Sequence, residues 1–366
     1  MKPTPTRIEP IFSPRIWGAR SLAPIYPEKT NLPEPLGEAW LTGVDCKIAT
    51  GPYAGKTLGE AWAEMPAEWR GKELAAVTDF PLLVKFIFPT DKLSIQVHPD
   101  DAYAAAHEQA AGGRGKTEMW HVVSAEPGAT LLAGLKPGVT KKRFIETLES
   151  RKNLEDLFQA HNVTAGDTFF IAAGTPHTIG PNMTICEVQE YSDLTYRIYD
   201  YDRVDARGKP RELHVQKALE VLNFGSQGCG KRPRVPLSKT PLAQSDLLSA
   251  CPYFASEIWE ASVLDSRTDK SHFDLLIVVS GNGVLDGPGF AFPYKQGECW
   301  FLPADLGSYY IVAGAIFPAS EKDYKQRPNS EPTVLIRTYV PEIQFLRDEL
   351  AKAGHTSSEI SKTVFD

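Results

Sequence analysis

The strongest chemical signal in the chain is LSIQVHPDD, residues 93–101. Successive side chains of a strand alternate faces. Leu93, Ile95 and Val97 then form an apolar face and Ser94, Gln96 and His98 a polar one, until Pro99 ends the ladder. Such a polar face is either wet or lines a cavity that holds something polar. The run GKTEMWHVVSA, residues 115–125, puts Lys116, Glu118, Trp120 and Val122 on one face. Trp120 and Val122 mark that face as buried, and a buried carboxylate needs a compensating charge. Either Lys116 supplies it, in a structural ion pair, or a metal does. A third element, FFIAAGTPHTIG, leads a strand through a Gly-Thr-Pro turn to His177. A lone histidine reads as an ordinary residue. Two histidines, a glutamate and an amide oxygen from three β-elements read as a set, because two His and one Glu make a catalytic zinc site with positions left open for water or substrate.

Two more strand-like runs, 184–190 and 195–201, flank the turn residues Tyr191, Ser192, Asp193 and Leu194. A hairpin centred on Ser192 sets Glu187 opposite Arg197 and Gln189 opposite Thr195. On residue types alone that pair is a cross-strand salt bridge of small value.

Short β-branched and aromatic runs broken by Gly, Pro, Asn and Asp recur along the whole chain, the pattern of a mainly β sandwich or barrel. Helical patterns are expected at Thr57–Trp69, Thr140–Ala160 and Arg211–Leu222, with helical spacing again after Pro341. The Gly-, Pro- and Lys-rich stretch from Gly225 to Pro241 reads as a linker, which places a domain boundary there. A faint repeat relates GDTFFIAAGTPHTI, from Gly166, to GECWFLPADLGSYYI, from Gly297, with Ser308 standing where the first copy has His177. FDLLIVVSGNGVL reads as a core hairpin.

The net charge is −7 and no Lys/Arg block occurs, which argues against a nucleic-acid partner. A small anionic substrate needs only two or three placed cations. The longest aliphatic run, Leu275–Val279, is far too short to span a bilayer, and the first residues carry no apolar core of a signal peptide. Five scattered cysteines read as reduced thiols. Together these point to a cytoplasmic protein with no membrane association.

The fragments PLLVKFIFPTDKLSIQVHPDD, GKTEMWHVV, GTPHTI and EVQEYSDLTYRIYDYDR, in that order, resemble the signature segments of the type I mannose-6-phosphate isomerases. RIWG near the start, GEAW at 37–40 and RELH at 211–214 add to the likeness, which covers about residues 80–215. The resemblance implies two cupin-type β-barrel (jelly-roll) domains with a few short helices. The first, 1–228, would bind the metal and include a small helical segment at about 140–160. The second, 229–366, would be a degenerate cupin with a C-terminal tail and no metal. The family's metal ligands fall on Gln96, His98, Glu118 and His177, with one Zn2+ per chain, and Gln96, a neutral amide, is the weakest donor. Its essential arginine falls on Arg197. The implied reaction interconverts mannose 6-phosphate and fructose 6-phosphate through a metal-stabilised cis-enediolate, in a monomer or weak homo-oligomer. Glu187 is the first choice for proton transfer and Lys116 the second. Lys116 and Ser94 are expected to meet the phosphate, while Lys85 and Arg203 are read as structural or solvated. The competing readings are a non-catalytic phosphosugar-binding regulatory cupin and an iron or manganese cupin oxygenase.

Overall fold

The computed structural model describes residues 2–150, 152–204, 208–225, 229–314 and 331–366. The chain is mainly β, as its turn-punctuated pattern implies, and it builds two pairs of facing sheets. Strands β1 (Thr6–Ile8), β2 (Ile11–Ala19), β3 (Leu36–Trp40), β4 (Leu82–Ile87), β5 (Ile95–Val97) and β6 (Glu118–Ala125) come first. Then follow β7 (Thr130–Leu135), β8 (Phe158–Asn162), β9 (Thr168–Ile171), β10 (His177–Ile179), β11 (Met183–Glu190) and β12 (Tyr196–Tyr199). The first unit sets a six-stranded sheet, β2-β3-β4-β11-β6-β9, against a five-stranded one, β12-β5-β10-β7-β8. Trp120, Val122, Phe169 and Ile185 from one sheet pack on Leu131, Ala133 and Ile179 from the other.

The second unit contains β13 (Val235–Lys239), β14 (Ala243–Ala250), β15 (Ala255–Ala261), β16 (Val263–Arg267) and β17 (Asp274–Ser280). It continues through β18 (Asn282–Gly287), β19 (Phe290–Lys295), β20 (Cys299–Leu302), β21 (Ser308–Ala313) and β22 (Thr333–Tyr339). Its sheets are β1-β20-β17-β22-β15-β14-β13 and β16-β21-β18-β19. Bulky side chains, among them Trp259, Trp300, Tyr294 and Tyr309, fill the space between them. His177 opens β10 and Ser308 opens β21, so the two copies of the faint repeat take corresponding places after β9 and β20.

Both hairpins expected from the sequence are instead corners. β11 pairs with β4 and β6, whereas β12 pairs with β5 in the opposite sheet, so Glu187 lies opposite Lys85 and Trp120 and not opposite Arg197. Likewise β17 pairs with β20 and β22, and β18 with β19 and β21. Turn residues between two apolar strands announce a change of direction, but not whether the chain stays in its sheet.

The helical patterns are shorter than expected. Thr57–Trp69 becomes α1 (Leu58–Glu64), begun by a reciprocal Thr57–Glu60 capping box, and α2 (Ala67–Arg70), with Pro66 between them. Helix α3 (Asp101–His107) starts where Asp100 accepts a hydrogen bond from Tyr103 N–H, directly after His98-Pro99. The Thr140–Ala160 pattern resolves into α4 (Lys141–Glu149), a 3₁₀ turn at Leu154–Leu157 and the start of β8. Arg211–Leu222 contains α5 (Val215–Val221), and the tail forms α6 (Ile343–Lys352) and α7 (Ser357–Ile360).

The stretch read as a linker is built into the fold from Lys231 onward. Lys231 bridges to Phe169, Arg232 N–H donates to Thr168 O, and Val235–Lys239 is strand β13. The boundary expected between 228 and 229 adjoins residues 226–228, which lie outside the described residues. At the other end, β1 pairs with β20 of the second unit although it precedes the first. One hydrophobic core accordingly runs through both units, joining Trp62, Phe80 and Val84 to Phe273, Ile277 and Phe301. Phe273 sits 5.6 Å from the Trp62 ring, 5.4 Å from Phe80 and 4.9 Å from Phe301, ring centre to ring centre. Phe273→Ala is expected to cost about 3–5 kcal/mol. Denaturant unfolding followed by fluorescence and by circular dichroism should show one shared transition moving to lower denaturant, not the loss of one unit before the other.

Candidate active site

The register of the five-stranded sheet sets His177, Gln96 and Arg197 abreast on β10, β5 and β12. His98 follows at the end of β5, while Glu118 comes from β6 across the interior. His98, Glu118 and His177 are buried, and one ligand atom from each lies within 4.8 Å of the others. His98 Nδ1–H donates to Leu194 O at 2.8 Å and His177 Nδ1–H to Thr175 O at 2.9 Å. With Nδ1 occupied by a backbone carbonyl, each neutral ring presents the Nε2 lone pair to the interior. Gly174 lies in the turn that carries Thr175 and leads to His177. Its φ of 82° is left-handed, its N–H donates to His98 O at 2.8 Å, and an added Cβ would meet Val221 O at 2.9 Å.

Glu118 divides its two oxygens. Oε2 accepts from Lys116 Nζ at 2.6 Å. Oε1 is buried with no hydrogen-bond donor, 3.5 Å from His98 Nε2 and 3.3 Å from His177 Nε2. A buried carboxylate oxygen facing two lone pairs is the arrangement a divalent cation satisfies. The ion-pair reading of Glu118 is met on Oε2, and Oε1 is left where the metal reading needs it. Burial alone would raise the Glu118 pKa, but Lys116 and then the two histidines hold it well below the carboxylate range. Burial, and next the positive charge of Lys116, keeps the His98 ring below the histidine range. Burial takes His177 down to about 3.

Gln96 completes the group. Its amide nitrogen lies 3.3 Å from His177 Nε2, and its oxygen accepts from the Ser94 hydroxyl at 3.1 Å. Turning that amide over would bring the oxygen to the cation and keep a bond to Ser94, since a hydroxyl both donates and accepts.

A cleft of about 230 Å³ opens beside this cluster and is lined by Ser94, Gln96, Lys116, Glu187 and Arg197, among others. Glu187 accepts from Trp120 Nε1–H at 3.1 Å, with Lys85 at 3.7 Å and Lys116 at 3.9 Å. Burial raises its pKa to about 7 against the pull of Lys116. The cations beside Glu187 are thus the two lysines, in place of the Arg197 expected from a hairpin. Lys116 is bonded to Glu118, lies 3.2 Å from His98 Nε2 and also lines the cleft with Ser94. Lys85, read from sequence as structural, is buried, bonded to Asp193 at 2.8 Å and part of the cleft wall.

Sequence reasoning gave no role to Arg15, Arg211 or His214, which also line the cleft. Their only signal was membership of the RIWG and RELH segments.

The geometry suits a divalent metal. His98→Ala should weaken binding of a divalent metal by more than the roughly 10–100-fold that loss of an outer hydrogen-bond partner costs, read as metal per chain after equilibrium dialysis. Because burial lowers both imidazole pKa values, protons compete for Nε2 less than they do at an exposed histidine pair. Affinity measured by titration calorimetry should therefore fall less between about pH 8 and about pH 5 than that of an exposed histidine site.

Residues 6–121 match the family described as "Phosphomannose isomerase type I, catalytic domain", and residues 244–317 match "Mannose-6-phosphate isomerase, cupin domain". The mannose-6-phosphate isomerase ManA of Bacillus subtilis is 33% identical over 85% of this chain and 96% of its own length. A mannose-6-phosphate isomerase of Streptococcus mutans is 32% identical over 82% of this chain and 94% of its own. The crystal structure of a mannose 6-phosphate isomerase from Bacillus subtilis superposes with a TM-score of 0.78 at 28% identity, covering 92% of this chain and 99% of that one. With the catalytic-domain match spanning Gln96, His98 and Glu118 and these relatives aligning over most of the chain, the protein belongs to the type I phosphomannose isomerase family.

Proposed function

We propose that the chain is a mannose-6-phosphate isomerase that interconverts mannose 6-phosphate and fructose 6-phosphate, with one zinc ion held by His98, Glu118, His177 and Gln96. The observation that carries this reading is the orphaned Oε1 of Glu118 between two imidazole lone pairs, at the wall of a cleft that also exposes a proton-carrying carboxyl. A bound divalent ion would polarise the substrate's carbonyl and neighbouring hydroxyl oxygens, which acidifies the intervening C–H.

Moving a carbonyl between C1 and C2 requires removing a proton from one carbon and returning one to the other through a cis-enediolate. Glu187 is the first candidate for both transfers. A buried carboxyl raised to about 7 is half ionised near neutral pH, where a group able both to take and to give a proton works best. Trp120 fixes its Oε1, and Lys85 and Lys116 limit how far burial can push it towards the neutral form. Lys116 is the second candidate for proton transfer. Its stronger role is to keep Glu118 ionised and to meet a sugar oxygen beside the metal, together with the Ser94 hydroxyl. Arg197 supplies a fixed positive charge to the anionic intermediate and the substrate, since its guanidinium does not deprotonate.

The buried free thiols of Cys46, Cys186, Cys251 and Cys299 accord with a reducing compartment, the cytoplasm. A small phosphosugar is the partner, and the chain acts as a monomer or weak homo-oligomer. A regulatory binding module would give Glu187 no task. An iron or manganese oxygenase would leave the cations of the cleft unused.

The test is turnover of mannose 6-phosphate to fructose 6-phosphate by metal-free protein before and after zinc is added, with two variants alongside. Zinc-dependent turnover is expected, lost in Arg197→Ala. Glu187→Gln should lower kcat by about 10²–10⁴-fold with metal content unchanged. Sugar-phosphate binding without turnover under any metal would reject the isomerase in favour of a binding module.

A further inference from the structure

The cleft is electrostatically lopsided. At the metal end every lining cation has a carboxylate partner, Lys116 with Glu118 and Lys85 with Asp193. On the neighbouring wall Arg15 is matched by Glu38, at 2.8 Å and 3.2 Å. At the far end the balance fails. Arg197 has a backbone carbonyl, Glu212 O, as its partner at 2.9 Å, no carboxylate among the described residues, and a buried Nε with no acceptor. Arg211 bonds Asp200, which also takes Arg203 at 2.6 Å, and Arg203 reaches Asp91 at 3.1 Å, so two carboxylates serve the three guanidinium groups Arg197, Arg203 and Arg211.

His214 adds a neutral donor. Its backbone N–H donates to Arg197 O at 2.7 Å, and its ring Nδ1 accepts the Arg197 backbone N–H at 3.2 Å. That backbone donor fixes the tautomer, leaving the ring proton on Nε2. The ring lines the cleft, and burial, with Arg197 and Lys217 against Glu212, lowers its pKa, so it remains uncharged. These two bonds dock residue 214 on the free edge of β12. Along the row His177, Gln96, Arg197, His214 the backbones are three strand spacings apart, about 14 Å. The RELH segment thus lies at the other end of this row from His177, which suits a substrate with its reacting carbons at one end and its phosphate at the other.

Resting on the isomerase reading above, we propose that Arg211 and His214 form the wall that receives the substrate's phosphate, and so decide that the phosphorylated sugar is used in place of the free one. Arg211 contributes charge-assisted hydrogen bonds and His214 a neutral Nε2–H donor. Asp200 is a positioning residue that aims Arg211 along the cleft. The dianionic phosphate supplies the counter-charge this end of the cleft lacks, and binding energy gathered there orients C1 and C2 at the metal.

The experiment uses the zinc-loaded full chain and its Arg211→Gln, Arg211→Lys and His214→Gln variants, with inorganic phosphate as the probe. Loss of a charged hydrogen bond is expected to lower kcat/KM for mannose 6-phosphate by about 10–150-fold in Arg211→Gln, mostly through KM. Inhibition by inorganic phosphate should weaken by a similar factor, and so should the preference for mannose 6-phosphate over mannose. Arg211→Lys should recover part of each, and His214→Gln should show a smaller loss of the same kind. Unchanged phosphate inhibition in Arg211→Gln, or an equal loss towards mannose and mannose 6-phosphate, would overturn the assignment. Should the parent protein turn nothing over, the isomerase reading falls separately. Calorimetric binding of inorganic phosphate to parent and Arg211→Gln then decides the wall: loss in the variant upholds it, and equal binding overturns it.

Discussion

The structure turns on one buried negative charge. Glu118 has no solvent exposure, and an uncompensated carboxylate in such a place would cost several kcal/mol. Its compensation is split between the ammonium of Lys116 on Oε2 and the space between two imidazoles at Oε1. Several features follow. The imidazoles must be neutral and must direct Nε2 inward, which requires the carbonyls of Leu194 and Thr175 at their outer nitrogens. Lys116 must stay charged although buried, and Glu118 raises its pKa against that burial. Glu187, packed beside the same charges, then carries a carboxyl raised towards neutrality, the range where proton transfer is useful.

The fold supplies this arrangement by crossing between sheets. Leu194 accepts from His98 because the chain leaves β11 in one sheet and enters β12 in the other at that corner. The corner is tied by Tyr191 N–H to Pro81 O and by the Ser192 hydroxyl to Arg114 O. A hairpin at the same place would have aligned Glu187 with Arg197 and left His98 without that acceptor. The second unit repeats the architecture but fills its interior with aromatic side chains, and it shares the core around Phe273 that steadies the first.

Much of the site was legible because strand periodicity is local. Ser94, Gln96 and His98 share a face by counting twos, and Trp120 with Val122 identifies the buried face that carries Glu118. His177 was legible as a residue presented by a Gly-Thr-Pro turn. Strand partnership was not legible, because it depends on whether a four-residue turn folds back or crosses over, and turn chemistry is much the same for both. Nor were Arg15, Arg211 and His214, whose approach to the cleft depends on contacts between distant segments. β13 was hidden for another reason. Pro236 and the basic residues around it read as linker, yet an edge strand tolerates them.

The central claim is that a single metal ion completing the charge balance at Glu118 makes the cleft an isomerase. The most direct measurement is a stepwise zinc titration of metal-free protein, recording zinc bound and fructose 6-phosphate turnover on the same samples. The account requires turnover to rise in proportion to occupancy and to level off at one zinc per chain. Turnover already present in metal-free protein, or absent at full occupancy, would contradict it.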